Sequence, residues 1–298
     1  MLVTMKEILD RASRENYGVA APNVTCELDT RAFIEAAEEL KAPIIIDIAE
    51  PACKDMYFLG HLVRSLAEHS SVPVAVNLDH GGDISQIYQA IQAGFTSVML
   101  DRSGSPFDEN ARQVKEVVEI AHSVGISVEA ELGHVGQADK YDIDRDAALT
   151  SAEDAAEFVE YTGVDCLAVA IGTAHGIYPE GFVPYLDFER LEEIKSATNN
   201  LPLVLHGSSG TDNESLAKAC RMGINKININ GDLCKAAAEA LKKADFRGNN
   251  VYNVYNIARD AAKEKLSELM KVYGSEGRAW IPRAKGLGTK DTTLREHV

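Results

Sequence analysis

Eight short apolar runs recur along this 298-residue chain at intervals of roughly thirty residues, about the length of one strand–helix unit. Each run is nearly continuous in Val, Ile, Leu and Ala, as is typical of parallel strands that are covered on both faces. Segments with helical periodicity and charged faces separate the runs. In chain order the runs are YGVAAPNV, PIIIDIA, PVAVNLDH, TSVMLD, ISVEAELG, DCLAVAIG, LPLVLHG and INKININ. This alternation predicts a (β/α)8 TIM barrel of the α/β class rather than a doubly wound sheet.

No stretch of the chain has the composition of a linker, so we expect residues 1–298 to form a single barrel domain. From about Asp245 the pattern is mostly helical and extends past the eighth predicted strand. Residues 278–298 are polar and contain Gly and Pro. We expect this tail to be an arm that lies over the surface or onto a partner subunit, in a homodimer or a homotetramer.

The chain carries 46 acidic against 30 basic side chains, a formal net charge of −16. This surplus argues against nucleic acid and against anionic membranes as partners, although a site can still be locally positive. No segment has the uninterrupted apolar length of a signal peptide or of a transmembrane helix. The five cysteines are scattered and form no CxxC pair, which favours a reducing cytoplasm.

Three histidines each follow an apolar run, and a glycine comes directly after each of them: His80, His175 and His206. The carboxyl end of a barrel strand faces the mouth where barrel enzymes carry out their chemistry. One histidine at such a place is more often structural, but three on separate strands favour a metal site. Three imidazoles would supply three ligands to zinc and leave a further coordination position open. Bound Zn²⁺ polarises a carbonyl or stabilises an enolate. Further polar residues end or lie in neighbouring strands: Asp79, Asp101, Glu131, Asn228 and Asn230.

The turns after the seventh and eighth runs, HGSSG (206–210) and KINING (226–231), are candidates for anion binding. In barrels this quadrant frequently holds phosphate through backbone N–H groups and a helix N-terminus. Gly207 and Gly210 permit close backbone approach, and Ser208 and Ser209 add hydroxyl donors. An ordinary Gly-Ser loop is the alternative interpretation.

Five segments in order, NLDHG, VEAELG, LAVAIGTAHG, LPLVLHGSSG and GINKINI, resemble the class II, zinc-dependent fructose-bisphosphate and tagatose-bisphosphate aldolases. The resemblance extends from the first helix to about Gly277. It implies retro-aldol cleavage of a phosphorylated ketose to dihydroxyacetone phosphate and an aldehyde. It also implies zinc on the three histidines, with Asp79 as the acid that protonates the alkoxide of the departing half. Asp101 and Glu131 would line an alternative metal position.

The resemblance also implies substrate contacts. Asn228 would contact the ketose, and its 1-phosphate would be held by Gly207, Ser209 and the backbone at Asn230. The loops of Gly176 and Gly207 would bind a monovalent cation, Na⁺ or K⁺. The remaining matches are the strand-one asparagine and a residue that can reach a distal substrate phosphate, which are Asn23 and Arg259.

The chain departs from the family pattern around the substrate. Pro22 stands where the family commonly has Phe, Pro179 where a phosphate-binding lysine is common, and Gly231 where a threonine is expected. Losing a charged contact costs on the order of 1.5–3 kcal/mol, so these changes predict a ketose phosphate other than fructose 1,6-bisphosphate. Glu180, next to Pro179, could repel a phosphate or hydrogen-bond a hydroxyl-rich substrate.

The base that exchanges a carbon-bound proton is also altered. Ala138 aligns with the loop glutamate that serves as this base in the family, and Asp139 is the nearest substitute, with Asp142 behind it. Two other functions remain open for such a chain. One is a metal-dependent sugar-phosphate isomerase or epimerase that forms the same enediolate without cleavage. The other is a non-catalytic sugar-phosphate sensor that has lost its base.

Overall fold

The computed structural model describes residues 1–49, 55–133, 135, 149–176, 178 and 184–281. Each of its eight strands falls on one of the predicted runs. The strands are β1 Val19–Pro22, β2 Ile44–Ala49, β3 Val74–Gly81, β4 Ser97–Leu100, β5 Ser127–Leu132, β6 Cys166–Val169, β7 Leu203–Leu205 and β8 Ile224–Ile229. The helices of the described part are α1 Met5–Glu15, α2 Glu27–Glu39, α3 Met56–His69, α4 Ile84–Ala93, α5 Phe107–Ser123, α6 Ala152–Thr162, α7 Phe188–Ala197, α8 Asn213–Met222, α9 Gly231–Lys243 and α10 Val254–Val272, with a short 3₁₀ helix over Gly248–Asn253.

All the strand pairs are parallel, and the sheet order is β1-β8-β7-β6-β5-β4-β3-β2. The first and last strands of this order are joined by a single bridge between Asn23 and Asp47, so the sheet is nearly closed. Helices follow the strands and cover the outer face. The predicted (β/α)8 barrel is therefore confirmed.

Alternate residues along each strand face opposite sides, and in this barrel the two sides differ in character. On β2, Ile44, Ile46 and Ile48 belong to the large apolar core beneath the helices, whereas Ile45 belongs to a separate interior cluster. The next interior position, Asp47, is polar and fully buried. The barrel interior thus changes from apolar near the amino ends of the strands to polar near their carboxyl ends.

Helix α1 closes the amino end of the barrel. Its spacing of apolar residues gives it one strongly apolar face, which buries Met5, Ile8, Leu9 and Ala12. These side chains pack into the interior cluster together with residues from five strands, which are Val19, Ala21, Ile45, Ala75, Cys166, Ala168 and Val204. Burying this face is what keeps α1 in place, because a short isolated helix is marginal in water.

The chain beyond β8 is helical, as predicted. Helix α9 buries only Leu233, whereas α10 buries Leu266, Leu269 and Met270 in the outer core. The tail predicted to be an arm begins against α1, where Arg278 Nη1 lies 3.0 Å from Glu15 Oε2. Residues 282–298 lie outside the described part of the chain. Within that part, no helix is both long enough and apolar enough to cross a membrane.

Replacing Ile8 with alanine is expected to destabilise the barrel by about 2–5 kcal/mol, because it leaves a cavity in the interior cluster. Ile8 is 0% exposed. Leu28→Ala is the matched control, since Leu28 is 38% exposed, and it should cost less than about 0.5 kcal/mol. The free energies of unfolding from urea titrations decide this. Equal losses of unfolding free energy for the two variants would contradict the conclusion that α1 closes the amino end of the barrel.

Candidate active site

Three loops at the carboxyl end of the barrel bring the predicted histidines together. His80 ends β3 with a left-handed backbone (φ 51°), His175 follows β6 and His206 follows β7. The ring of His80 lies 4.9 Å from that of His175 and 4.6 Å from that of His206, centroid to centroid. His80 Nε2 and His206 Nδ1 are 2.9 Å apart. The three imidazoles therefore form one cluster.

Glu131 joins this cluster. One donor atom from each of His80, Glu131, His175 and His206 can be chosen so that all lie within 4.8 Å of one another. Glu131 Oε2 is buried without a hydrogen-bond partner in the described chain, and it lies 3.9 Å from His206 Nδ1. An unpaired buried carboxylate oxygen facing three imidazoles is a donor set that suits zinc. The residues present thus fit a divalent metal.

Carboxylates hold two of the imidazoles in place. Asp101 Oδ2 lies 2.8 Å from His80 Nδ1, and Glu129 Oε1 lies 2.9 Å from His206 Nε2. A ring nitrogen that donates its proton to a carboxylate leaves the other nitrogen free to bind a metal. His80 Nε2 and His206 Nδ1 are the two nitrogens left facing the cluster. The structure thus gives Asp101 a contact with His80, and Asp101 is not among the four clustered donors.

The imidazoles differ in their affinity for protons. Burial alone would lower the pKa of His80, but its hydrogen bond to Asp101 and nearby carboxylates outweigh this effect and raise the pKa to about 9. Burial and the neighbouring imidazoles lower the pKa of His175 to about 3. Burial raises the pKa of Glu131. His175 is therefore a neutral nitrogen donor at neutral pH, the form that binds metals.

Asp79 lies directly beside the cluster, and two amides hold its carboxylate. Asn23 Nδ2 donates to Oδ2 at 2.8 Å, and Asn228 Nδ2 donates to Oδ1 at 2.9 Å. His80 Nε2 is 3.8 Å from Asp79 Oδ1. Burial alone would raise the pKa of Asp79, but the positive charges of His80 and Lys226 outweigh it and lower the pKa to about 2. The carboxylate is therefore a fixed anion that can accept a proton.

A layer of buried charges below the histidines was not predicted from the sequence. Lys226 Nζ lies 2.9 Å from Glu129 Oε2 and 3.3 Å from Asp47 Oδ2, with all three side chains 0% exposed. Asn77 Nδ2 donates to Asp47 Oδ1 at 2.9 Å. The available signal was a charged residue at an inward position within an otherwise apolar run, as in IIIDIA and INKINI.

The loops that follow β7 and β8 meet where the sequence predicts an anion site. A Cβ atom on Gly207 (φ 64°) would lie 2.5 Å from Ala174 O, so only glycine allows the loops carrying His175 and His206 to approach this closely. Ser209 Oγ accepts from the N–H of Asp232 in the first turn of α9 at 3.2 Å. Ser208 Oγ donates to Asn228 O at 2.7 Å, so this hydroxyl ties the two loops together.

A cavity of about 790 Å³ connects the histidine cluster with these loops. It is lined by ten of the predicted site residues, which are Asn23, Asp79, His80, His175, Gly176, Gly207, Ser208, Ser209, Asn228 and Asn230. Arg259 is not among its described lining residues; it lies on α10 and pairs with Asp260 at 2.7 Å. The predicted base Asp139 lies outside the described residues, as do Pro179 and Glu180.

His206→Ala should remove the tightly bound metal, because it takes away one of three imidazole donors. We expect about one equivalent of divalent metal per chain in the unaltered protein and far less than one in the variant. His69→Ala is the control, since His69 is an exposed histidine on α3. Elemental analysis of the purified proteins measures the metal. Full occupancy in His206→Ala would contradict the assignment.

Comparisons with known proteins agree with this geometry. Residues 3–278 match the family model of class II fructose-bisphosphate aldolase. Proteins named fructose-bisphosphate aldolase from Thermus caldophilus and Geobacillus stearothermophilus are each 40% identical to this chain. The alignments cover 94% and 93% of this chain and 100% and 99% of those proteins, respectively.

Among solved structures, the YdjI aldolase from Escherichia coli K12 superposes with a TM-score of 0.81 at 36% identity. That superposition covers 94% of this chain and 100% of the YdjI chain. The family match, the barrel and the histidine cluster agree. This chain therefore belongs to the class II fructose-bisphosphate aldolase family, which makes it an aldolase-type lyase.

Proposed function

We propose that this protein cleaves a phosphorylated ketose to dihydroxyacetone phosphate and an aldehyde, and joins them in reverse, with zinc on His80, His175 and His206. The observation that supports this most strongly is the position of Asp79. Its ionised carboxylate lies 3.8 Å from His80 Nε2 and is fixed by two amide donors. This arrangement suits proton transfer at a hydroxyl group bound next to a metal.

Asp79 would act first as a base in the direction of cleavage. Its carboxylate is fixed beside the cluster by two amide donors, so in its ionised form it can take the proton of the hydroxyl whose carbon becomes the aldehyde. In the reverse direction the same carboxyl group returns this proton to the alkoxide. Asn23 and Asn228 hold both carboxylate oxygens, so the orientation of the carboxylate is fixed while each oxygen keeps a site that can receive a proton. When bound, zinc supplies a Lewis acid that polarises the substrate carbonyl.

The phosphate of the substrate would bind between the loops after β7 and β8. Backbone N–H groups at Gly207, Ser209 and Asn230 would hold it near the N-terminus of α9, which favours negative charge. The loops of Gly176 and Gly207 would hold Na⁺ or K⁺. Two further assignments rest on the family resemblance. These are a carbon-proton base at Asp139 and a distal phosphate contact by Arg259, which would have to leave its pair with Asp260.

The substrate of this chain would differ from that in the names of its relatives. A Cβ atom on Gly231 would lie 3.0 Å from Ser209 Oγ, so a threonine here would require Ser209 to shift by a few tenths of an ångström. Gly231 therefore changes the packing beside Ser209, a residue of the proposed phosphate site. We therefore propose another phosphorylated ketose as substrate, acted on by a homodimer or a homotetramer in the cytoplasm.

Asp79→Ala should keep its metal and lose turnover by about 10²–10⁴-fold, the usual contribution of a positioned acid or base. Asp108→Ala is the control, since Asp108 is exposed in the first turn of α5. Metal content and the rate of dihydroxyacetone phosphate release are measured on the same preparations. Turnover within a few-fold of the unaltered protein would show that Asp79 has another role.

A panel of ketose 1-phosphates and bisphosphates, assayed with and without zinc, tests the substrate. We expect fructose 1,6-bisphosphate to be cleaved with a kcat/KM about ten- to a hundredfold below that of the best substrate, because a charged contact is missing. A value at or above every other ketose phosphate would contradict this. Conversion without release of a triose phosphate would instead indicate an isomerase or epimerase, and metal binding without any conversion would indicate a sensor.

A further inference from the structure

Lys226 is a fully buried lysine on β8, and its contacts in the described chain are with other buried side chains. Its ammonium nitrogen lies 2.9 Å from Glu129 Oε2, 3.3 Å from Asp47 Oδ2 and 2.7 Å from Asn228 Oδ1. A buried cation is costly unless it is paired and its protons are all used. These acceptors, on β2, β5 and β8, therefore fix the nitrogen at one point in the barrel interior.

Glu129 connects Lys226 to the histidine cluster. Lys226 Nζ contacts both carboxylate oxygens of Glu129, Oε2 at 2.9 Å and Oε1 at 3.2 Å, and Oε1 also lies 2.9 Å from His206 Nε2. The side chains of Glu129 and His206 are both 0% exposed. Glu129 Oε1 is thus shared between the ammonium of Lys226 and the imidazole of His206. A shift of Lys226 therefore moves the carboxylate that holds the ring of His206, whose Nδ1 faces the cluster.

Asn228 connects Lys226 to Asp79. A lysine ammonium has donors and no acceptor, so only the oxygen of the Asn228 amide can face it. Because Oδ1 of Asn228 faces Lys226, the amide nitrogen Nδ2 is directed away from the lysine. Asn228 Nδ2 then donates to Asp79 Oδ1 at 2.9 Å. Without Lys226 the amide could turn over and present an oxygen to the carboxylate.

We propose that Lys226 is a positioning residue that sets both the metal-facing imidazole of His206, through Glu129, and the carboxylate of Asp79, through Asn228. Its effect on turnover rests on the proposed function, whereas its effect on metal binding does not. Lys226 touches neither group itself. It acts because one ammonium fixes two side chains that would otherwise be independent.

Asp47 provides a matched control within the same buried cluster. It contacts Lys226 from β2 and accepts from Asn77 Nδ2 at 2.9 Å. In the described chain no hydrogen bond joins its side chain to a clustered histidine or to Asp79. Asn77 Nδ2 also lies 3.5 Å from Glu129 Oε2. Asp47→Asn therefore removes one buried charge beside Lys226 but keeps the lysine and its acceptors on Glu129 and Asn228.

The experiment compares Lys226→Met with Asp47→Asn, and adds the double variant Lys226→Met/Asp47→Asn in case the single lysine variant does not fold. Zinc affinity is measured by competition with a chelator, and the visible absorption spectrum is recorded after Co²⁺ replaces zinc, both without substrate. Loss of an outer partner of a metal ligand typically weakens metal binding by about 10–100-fold. We expect this loss, with a changed cobalt spectrum, in each variant that lacks Lys226, and less than about threefold change in Asp47→Asn.

Turnover at saturating zinc gives the second readout. With Lys226 absent, kcat should fall by about 10–100-fold while KM changes by less than about threefold, because the proton acceptor is misplaced rather than the substrate. Zinc affinity and cobalt spectra equal to those of Asp47→Asn would overturn the proposal. A kcat equal to that of the control would overturn it as well. If the unaltered protein cleaves no ketose phosphate, the proposed function fails by itself, since the metal measurements still decide the role of Lys226.

Discussion

Polar side chains inside a closed barrel must find partners across the interior, because burial removes them from water. In this protein the polar interior side chains lie near the carboxyl ends of the strands. Lys226 is paired with Glu129 and Asp47 from two other strands, and Glu129 in turn faces His206. Removing one member of such a buried ionic group commonly costs about 3–5 kcal/mol. The functional side chains are therefore held by the same contacts that satisfy the interior.

The cluster of His80, Glu131, His175 and His206, which could hold a metal ion, lies between this paired layer and the open mouth. Asp101 and Glu129 each occupy one nitrogen of an imidazole and leave the other directed to the common centre. Glu131 Oε2 has no partner in the described chain and faces the same centre. A carboxylate left unpaired in this way is unfavourable in the protein alone. A bound cation would relieve that cost, so the stability of the mouth and its affinity for metal are linked.

The protein is strongly acidic, with a formal net charge of −16, and its family acts on phosphorylated sugars. An acidic protein can bind an anionic substrate where the local backbone geometry favours negative charge. The loops after β7 and β8 meet at the N-terminus of α9, where backbone N–H groups favour an anion whatever the net charge. Gly207 permits this meeting, since a side chain there would strike the backbone at Ala174.

The sequence by itself determined the barrel, because strand and helix periods are local properties that repeat eight times along it. It also determined which histidines end strands, and Asp79 was found beside His80. The family resemblance named Asp101 and Glu131, but only the tertiary structure decided which contact each carboxylate makes: Asp101 and Glu129 contact imidazoles, whereas Glu131 faces the three histidines. The sequence showed Lys226 and Asp47 as charged residues within apolar runs, but their pairing came only from the tertiary structure. Such pairings join strands that lie far apart in the chain, so closure of the barrel, and no local pattern, sets them.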